Sequence, residues 1–358
     1  MNITIVGCGN VGTQFAVHCA AKGHAVTIFS SKPDTICKRL TIVNPEGDLF
    51  LTGDMACITD CAKDALCEAD LVFVTVPAFA MNKYAEKIIP NLKKGTMICL
   101  VPGTGGAEFA FMDAVNRDCI VFGLQRVPSV ARLVEYGKTV CASGYRDELF
   151  CASIPSKYCG IAAKTISDIF DMPCTPMPNY LNVTLTPSNP ILHTTRLRTI
   201  FKDYYEGYVY PIVPLFYEEW NNESSELLLK CDNEVQNICN TLKQFDLSYV
   251  KSLKLHYESE TAEQLTKKIT SIKSFKGLKS PVIKVENGYI PDFSSRYFTA
   301  DFPFGLSILV QLSNLLDLDC PYMQKTLDWY YSIVSKSQEF SFSSFGINNI
   351  NQLIDFYK

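Results

Sequence analysis

Histidine is scarce in this chain, with four copies in 358 residues, so any chemistry that needs an imidazole has few places to be. No apolar run approaches the roughly 20 residues that a membrane-spanning helix requires, which excludes a helical membrane protein. Basic residues form no dense block and the net charge is −4, so the electrostatic footprint of a nucleic-acid binder is missing. The 15 cysteines are plentiful but scattered. Their closest cluster, Cys57, Cys61 and Cys67, has no paired C-x-x-C spacing and no histidine nearby, which points to free thiols and no metal site. There is no internal repeat and no low-complexity tract. A strand expected from residue 3 leaves no room for a signal peptide, so a cytoplasmic location with reduced thiols is expected.

What is present begins at once. Met1 to Val6 is a short apolar run, followed by Gly7-Cys8-Gly9-Asn10-Val11-Gly12, a G-x-G-x-x-G, and then by a helical stretch from Thr13 to Ala21 and a second strand from Ala25 to Phe29. This is the order a βαβ dinucleotide-binding unit needs. Gly7 allows the tight turn, Gly9 lets a pyrophosphate approach the backbone, and Gly12 lets helix and strand lie close. The diphosphate would then meet the free N–H groups at the helix start, those of Gly9, Asn10 and Val11 among them.

A hydrophobic content of 47% is ample for real cores, and the length suggests two domains. Residues 1–180 alternate short apolar runs with helical stretches. Strands are expected at 3–6, 25–29, 71–76, 97–101 and 119–123, in a parallel sheet covered on both faces. Val76 and Pro77, and Pro102 and Gly103, end two of these strands at the carboxyl edge of the sheet, where ligands of open α/β sheets bind. A stretch with five prolines, Met172 to Pro190, marks a change of regime. Residues 181–358 are mostly helical, from His193 to about Lys243 and from Gly305 to Ser335. A hairpin, Val282 to Val285 turning at Asn287-Gly288, interrupts them. The fold expected is a Rossmann-type doubly wound α/β domain followed by a mainly α-helical domain.

NAD-preferring folds usually carry Asp or Glu at the end of the second strand. Here that position is Ser30, followed by Ser31 and Lys32, with Lys38 and Arg39 further on. Hydroxyls and an ammonium suit a 2′-phosphate, so NADP(H) is favoured; NAD(H) remains the alternative if Asp34 turns back to the ribose.

Of the histidines, His18 and His24 belong to the helix and turn behind the fingerprint and read as structural, and His256 reads as exposed. His193 opens the first long helix of the second domain. Asn189-Pro190-x-x-His193, followed about a hundred residues later by Arg296-Tyr297-x-x-x-Asp301-x-Pro303-x-Gly305-Leu306, resembles the octopine/opine dehydrogenase family. The segment Phe122 to Pro128 with Arg132 and Gly137, Tyr205-Glu206-Gly207 and Cys231-Asp232-Asn233-Glu234 also fall in family-like places.

The resemblance implies a reductive condensation. The amino group of an amino acid joins the carbonyl of a 2-oxo acid, and NAD(P)H reduces the imine to a secondary amine. His193 would be the general acid and base, Asp301 would fix its tautomer, and Arg296 would grip the oxo-acid carboxylate. A plain ion pair between Arg296 and Asp301 is the structural alternative. Gln125, Arg126 and Tyr205 are substrate-contact candidates. The chain departs from the family at Ala300, where a Glu often precedes the Asp, and at Gln125 with Arg126, where an acidic and then a small residue are common. Loss of an acidic residue at Gln125 argues against an arginine-like substrate, and Arg126 suits an extra anionic group.

Ketopantoate reductases and glycerol-3-phosphate dehydrogenases share this architecture, but their general acid is a lysine on that first long helix. Here no lysine precedes Lys202. A simple 2-oxo-acid or 2-hydroxy-acid reductase is thus the enzymatic alternative, and a non-catalytic NADP(H)-binding sensor the non-enzymatic one. The partners expected are small molecules, with no nucleic acid and no membrane; a homodimer is compatible.

Overall fold

The computed structural model describes residues 1–334 and 339–358. The last residue of the expected helical stretch, Ser335, lies outside the described residues. The chain divides into two compact units, Met1–Thr184 with Asp355–Lys358, and Leu185–Ile354.

The first unit is built on an eight-stranded sheet in the order Cys174–Pro176, Leu149–Ile154, Ile120–Leu124, Met97–Leu100, Leu71–Val74, Asn2–Val6, Ala25–Phe29 and Cys57–Thr59. Neighbours run parallel except Leu149–Ile154, which is antiparallel to Ile120–Leu124. Strand Leu71–Val74, in the middle of the sheet, is apolar throughout and fully buried, as a helix-covered parallel strand must be. Val6 lies opposite both Phe29 and Val74, and Val74 opposite Leu100. That flush register brings the turn from Gly7 to Gly12, residues 75–77 and residues 101–106 out along one edge of the sheet.

A second sheet of four strands, in the order Leu49–Asp54, Arg39–Val43, Thr139–Ser143 and Val130–Glu135, was not expected from the sequence. Helix Asn10–Ala21 packs against strands of both sheets. At Gly53 the approach is so close that a Cβ would lie 2.6 Å from that of Ala20. His18, inside this helix, is buried and bonds the Tyr145 hydroxyl at 3.0 Å. Burial pushes its imidazole down to about 4, which fits a structural, uncharged role.

The second unit is mainly helical. Helices Ser188–Ile200 and Asn222–Thr241 pack together, with Pro321–Ile333 against both. Glu234, in the second of these helices, accepts the N–H groups of Tyr322 and Met323 at 2.8 Å each, capping the start of the third. The expected hairpin is present as Val282–Val285 and Gly288–Pro291. No helix among the described residues is long and apolar enough to cross a membrane.

Chain ends tie the first unit together. Phe356 stacks on Phe109 at 4.3 Å, and Tyr357 donates to Glu108 Oε1 at 2.7 Å, an oxygen that also accepts from Thr184. Burial pushes the Glu108 carboxyl up to about 7 from 4.5, with the Thr184 and Tyr357 bonds opposing. A carboxyl raised in the folded state binds its proton more tightly there than in the unfolded chain. Stability therefore falls as pH rises from the unfolded value to the folded one. Glu108→Gln, which keeps the shape and cannot ionise, should remove this fall. Denaturant titrations between about pH 5 and pH 8 should show the stability of the variant gaining on that of the parent up to about pH 7 and levelling off above it. Parallel curves would mean that Glu108 does not titrate in that window.

Candidate active site

Helix Ser188–Ile200 runs through the second unit with residues 190 to 197 all buried. Pro190 is tolerated in its first turn, where the missing N–H would have no partner. Thr194 and Thr195 return their hydroxyls to the carbonyls of Pro190 and Ile191 at 2.6 Å, so no polar group is left bare in an apolar setting. His193 lies on this helix, 5% exposed. The chain comes back to it through Asp301, which precedes a π-helical turn, Phe302–Leu306. Gly305 in that turn packs on Pro190, and a Cβ there would lie 3.3 Å from the proline Cα. The Asn-Pro-x-x-His and Asp-x-Pro-x-Gly motifs thus meet as two packed surfaces.

His193 Nδ1 bonds Asp301 Oδ2 at 2.8 Å, and both groups are buried. The carboxylate accepts from Nδ1–H, which leaves Nε2 as the acceptor nitrogen. Tyr217 donates its hydroxyl to Nε2 at 3.1 Å. Arg296 does not pair with Asp301, so the plain ion-pair alternative does not hold. Arg296 is exposed at the start of helix Arg296–Thr299, and its guanidinium makes no hydrogen bond or ion pair among the described residues. Its guanidinium lies 5.8 Å from the ring centre of Tyr297, whose ring is 4.7 Å from that of His193. Burial raises the Tyr217 phenol strongly; Tyr297, Tyr257 and Asp301 add to this, and the Arg296 charge opposes it. An oriented imidazole and an uncommitted guanidinium thus belong to one neighbourhood. Such a set can move a proton and hold a carboxylate.

Two residues of this neighbourhood carry no sequence signal. Tyr217 lies in a loop with no periodic pattern. Arg196, one turn after His193, is a buried guanidinium that donates to the carbonyls of Phe216 at 2.7 Å, Glu219 at 2.7 Å and Leu215 at 3.2 Å and to Ser224 Oγ at 3.2 Å. It fixes the loop that carries Tyr217. Burial lowers it to about 10, which still leaves it charged at neutral pH.

In the first unit, Gly7 takes a left-handed φ of +96°, and a Cβ on Gly12 would lie 2.1 Å from the Gly7 carbonyl oxygen. Gly9 has nothing within 4 Å of its Cβ position, and no side chain caps the helix that starts at Asn10. Asn10 itself accepts the Leu133 N–H at 2.7 Å, and Val11 is half-buried. This is an open cradle of backbone amides with the chemistry of a diphosphate site. Ser30 is buried and accepts the Lys32 N–H at 3.2 Å, while Ser31 and Lys32 are exposed. Arg39 is held by Asp54 at 2.7 Å. Val76 is buried; Pro77 and Pro102 are exposed. Gly103 faces Gly123 and the Tyr180 hydroxyl, each 2.7 Å from where a Cβ would be, so packing requires its glycine.

Gln125 Nε2 lies 3.4 Å from the Asn182 carbonyl in the first unit. Arg126, half-buried nearby, adds a charge that helps lower Arg146 beyond the effect of burial. Tyr205 belongs to the second unit, where it is 65% exposed and lines a cavity of ≈ 510 Å³ with Tyr204, Glu206 and Phe293. Lys202 falls beyond the end of helix Ser188–Ile200 and pairs with Glu223 at 2.9 Å, so it does not supply the general acid of the lysine-dependent reductases.

Residues 176–334 match the alpha-helical domain of NAD/NADP octopine/nopaline dehydrogenases, and residues 3–140 match ketopantoate reductase PanE/ApbA. The tauropine dehydrogenase of Arabella iricolor is 27% identical over 75% of this chain and 72% of its own length. The octopine dehydrogenase of Pecten maximus is 26% identical over 78% and 73%. Octopine dehydrogenase in complex with NADH and L-arginine has the same fold, with a TM-score of 0.85 over 100% of this chain and 98% of that one at 22% identity. NADP⁺-bound yersinopine dehydrogenase superposes with a TM-score of 0.67 over 99% and 97% at 13% identity.

Gly9 and Gly12 should separate fold from ligand. Gly12→Ala drives a Cβ into backbone and should cost about 1–3 kcal/mol of stability, read as a lowered melting temperature. Gly9→Ala has room and should melt as the parent does, yet lose roughly tenfold or more in NADPH affinity by fluorescence titration. Undiminished affinity in Gly9→Ala would remove the diphosphate from this turn.

Proposed function

We propose that the chain is an NAD(P)-dependent oxidoreductase of the octopine/opine dehydrogenase family, and that it joins the amino group of an amino acid to the carbonyl of a 2-oxo acid and reduces the product to a secondary amine, using His193, Asp301 and Arg296. The observation that carries this is the buried His193–Asp301 pair at 2.8 Å with an uncommitted arginine beside it.

Bound, the reduced nicotinamide cofactor supplies the hydride. Gly7, Gly9, Asn10, Val11 and Gly12 would hold its diphosphate through backbone amides, Ser30, Ser31 and Lys32 its adenine-side ribose, and Val76, Pro77, Pro102 and Gly103 its other end. Exposed Ser31 and Lys32, with no carboxylate at position 30, support a preference for NADPH.

Arg296 grips the 2-oxo acid by its carboxylate, two N–H groups to two oxygens, and so fixes which face of the carbonyl is presented. His193 takes a proton from the incoming ammonium, which frees a lone pair to attack the carbonyl carbon. It then returns a proton to the oxygen that leaves as water. Asp301 stays ionised throughout, holding the ring tautomer and stabilising the imidazolium. Gln125 and Arg126 lack the acidic group that would meet a cationic side chain, which supports a neutral or anionic amino acid. Tyr205 adds aromatic surface on the amine side.

The test is NADPH and NADH oxidation across a panel of 2-oxo acids and amino acids, with product identified by mass. Turnover should need both substrates and yield their condensation product, with NADPH binding several-fold tighter than NADH. His193→Ala should then lose roughly 10²–10⁴ in turnover at unchanged cofactor affinity. Oxidation by an oxo acid alone would favour a simple reductase; cofactor binding with no oxidation by any mixture would favour a sensor.

A further inference from the structure

We propose that the Tyr217 phenol is the group that exchanges the proton with substrate, with His193 and Asp301 forming the relay behind it. This rests on the condensation chemistry above and changes which atom touches the reacting oxygen.

Both imidazole nitrogens are occupied. Nδ1 is held by Asp301 at 2.8 Å and Nε2 by the Tyr217 hydroxyl at 3.1 Å. A substrate atom therefore reaches the ring either through that hydroxyl or after the tyrosine has moved. The tyrosine is held on every side. Its ring stacks on Phe275 at 4.0 Å and 17°, lies parallel to Trp220 at 6.3 Å, and meets Phe216 edge-on at 4.8 Å. Its backbone is clamped as well. Arg196 binds the carbonyls of Leu215, Phe216 and Glu219, and the Phe216 N–H donates to the Leu278 carbonyl at 2.8 Å. Swinging the phenol away would break this stacking, whereas leaving it in place costs nothing. With Nδ1 protonated, the hydroxyl donates to Nε2 and keeps oxygen lone pairs free to accept from a third group.

An N–H bond of the incoming ammonium breaks and its proton passes to the phenol oxygen, while the phenol's own proton passes to Nε2; this leaves a free amine, a phenol and an imidazolium. The amine attacks the carbonyl carbon to give the carbinolamine. On its collapse the phenol O–H bond breaks toward the carbinolamine hydroxyl, which departs as water with the C–O electron pair. The nitrogen lone pair closes the C=N bond, and Nε2–H returns its proton to the phenol oxygen. Neither phenolate nor a protonated Asp301 accumulates.

Tyr217→Phe keeps the stacked ring and deletes only the hydroxyl. With a substrate pair that the parent turns over, kcat should fall on the order of 10²-fold at unchanged cofactor affinity and melting temperature. A fall of less than threefold would overturn the relay. His193→Ala measured beside it separates the two claims: a loss there without one in Tyr217→Phe leaves the condensation reading standing and removes only the relay. Placing 3,5-difluorotyrosine at 217 tests the same point without deleting a group. The titratable and charged groups that face this phenol are His193, Tyr257, Tyr297, Asp301 and Arg296. None of them is changed by the fluorines, so a shift of the pH–rate profile to lower pH reports phenol acidity, and an unshifted profile overturns the proposal. If no substrate pair turns over, the condensation reading falls on its own. The relay is then judged by the ¹⁵N resonance of His193 Nε2, where a signal unchanged by Tyr217→Phe overturns it.

Discussion

A carboxylate and an imidazole 108 residues apart in sequence meet at 2.8 Å in the interior of the second unit. Burying either group alone would be costly, because an ionised carboxylate or an imidazolium without a partner loses its hydration and gains nothing. The pair is therefore a constraint on everything around it. Helix Ser188–Ile200 must present His193 inward, the π-helical turn after Asp301 must come close enough to aim its carboxylate, and Gly305 must be small enough to let that turn lie on Pro190.

Around this pair the unit spends a second buried charge, Arg196, on positioning. Its donors go to three carbonyls and a hydroxyl. Such groups are satisfied only when the loop has one conformation, so a guanidinium here specifies the loop as much as it stabilises it. Arg296 is the opposite case. It is exposed and uncommitted, and in this it fits a group kept for a ligand. The cofactor unit follows the same logic with backbone in place of side chains: Gly12 is used up by packing, while Gly9 is left open.

Much of this is legible in the sequence because the signals are local and periodic. Five strands of the main sheet, the fingerprint helix and the hairpin at Asn287-Gly288 are each read from a few adjacent residues. The His193 and Asp301 motifs are legible through family resemblance. What is not legible depends on distant partners. Strand Leu49–Asp54 exposes most of its side chains and is held through Gly53 against Val17 and Ala20 of helix Asn10–Ala21, so it has no hydrophobic period. Cys174–Pro176 ends in a proline that only an edge strand tolerates. Tyr217 is one tyrosine among 18, and only the fold shows that its hydroxyl reaches Nε2. Glu108 carries no pattern of its own, and only the fold shows that Tyr357, at the chain end, bonds it in the interior.

The central claim is that Asp301 makes His193 an acid–base group and is more than its packing partner. Asp301→Asn tests this most directly, since it keeps size and shape but can offer an N–H where Nδ1–H needs an acceptor, favouring the wrong tautomer. With a verified substrate pair, kcat should drop roughly 10²–10⁴-fold while the dissociation constant of the reduced cofactor stays unchanged. Turnover within about threefold of the parent in a variant that folds and binds cofactor normally would contradict it, and would leave the pair a structural one.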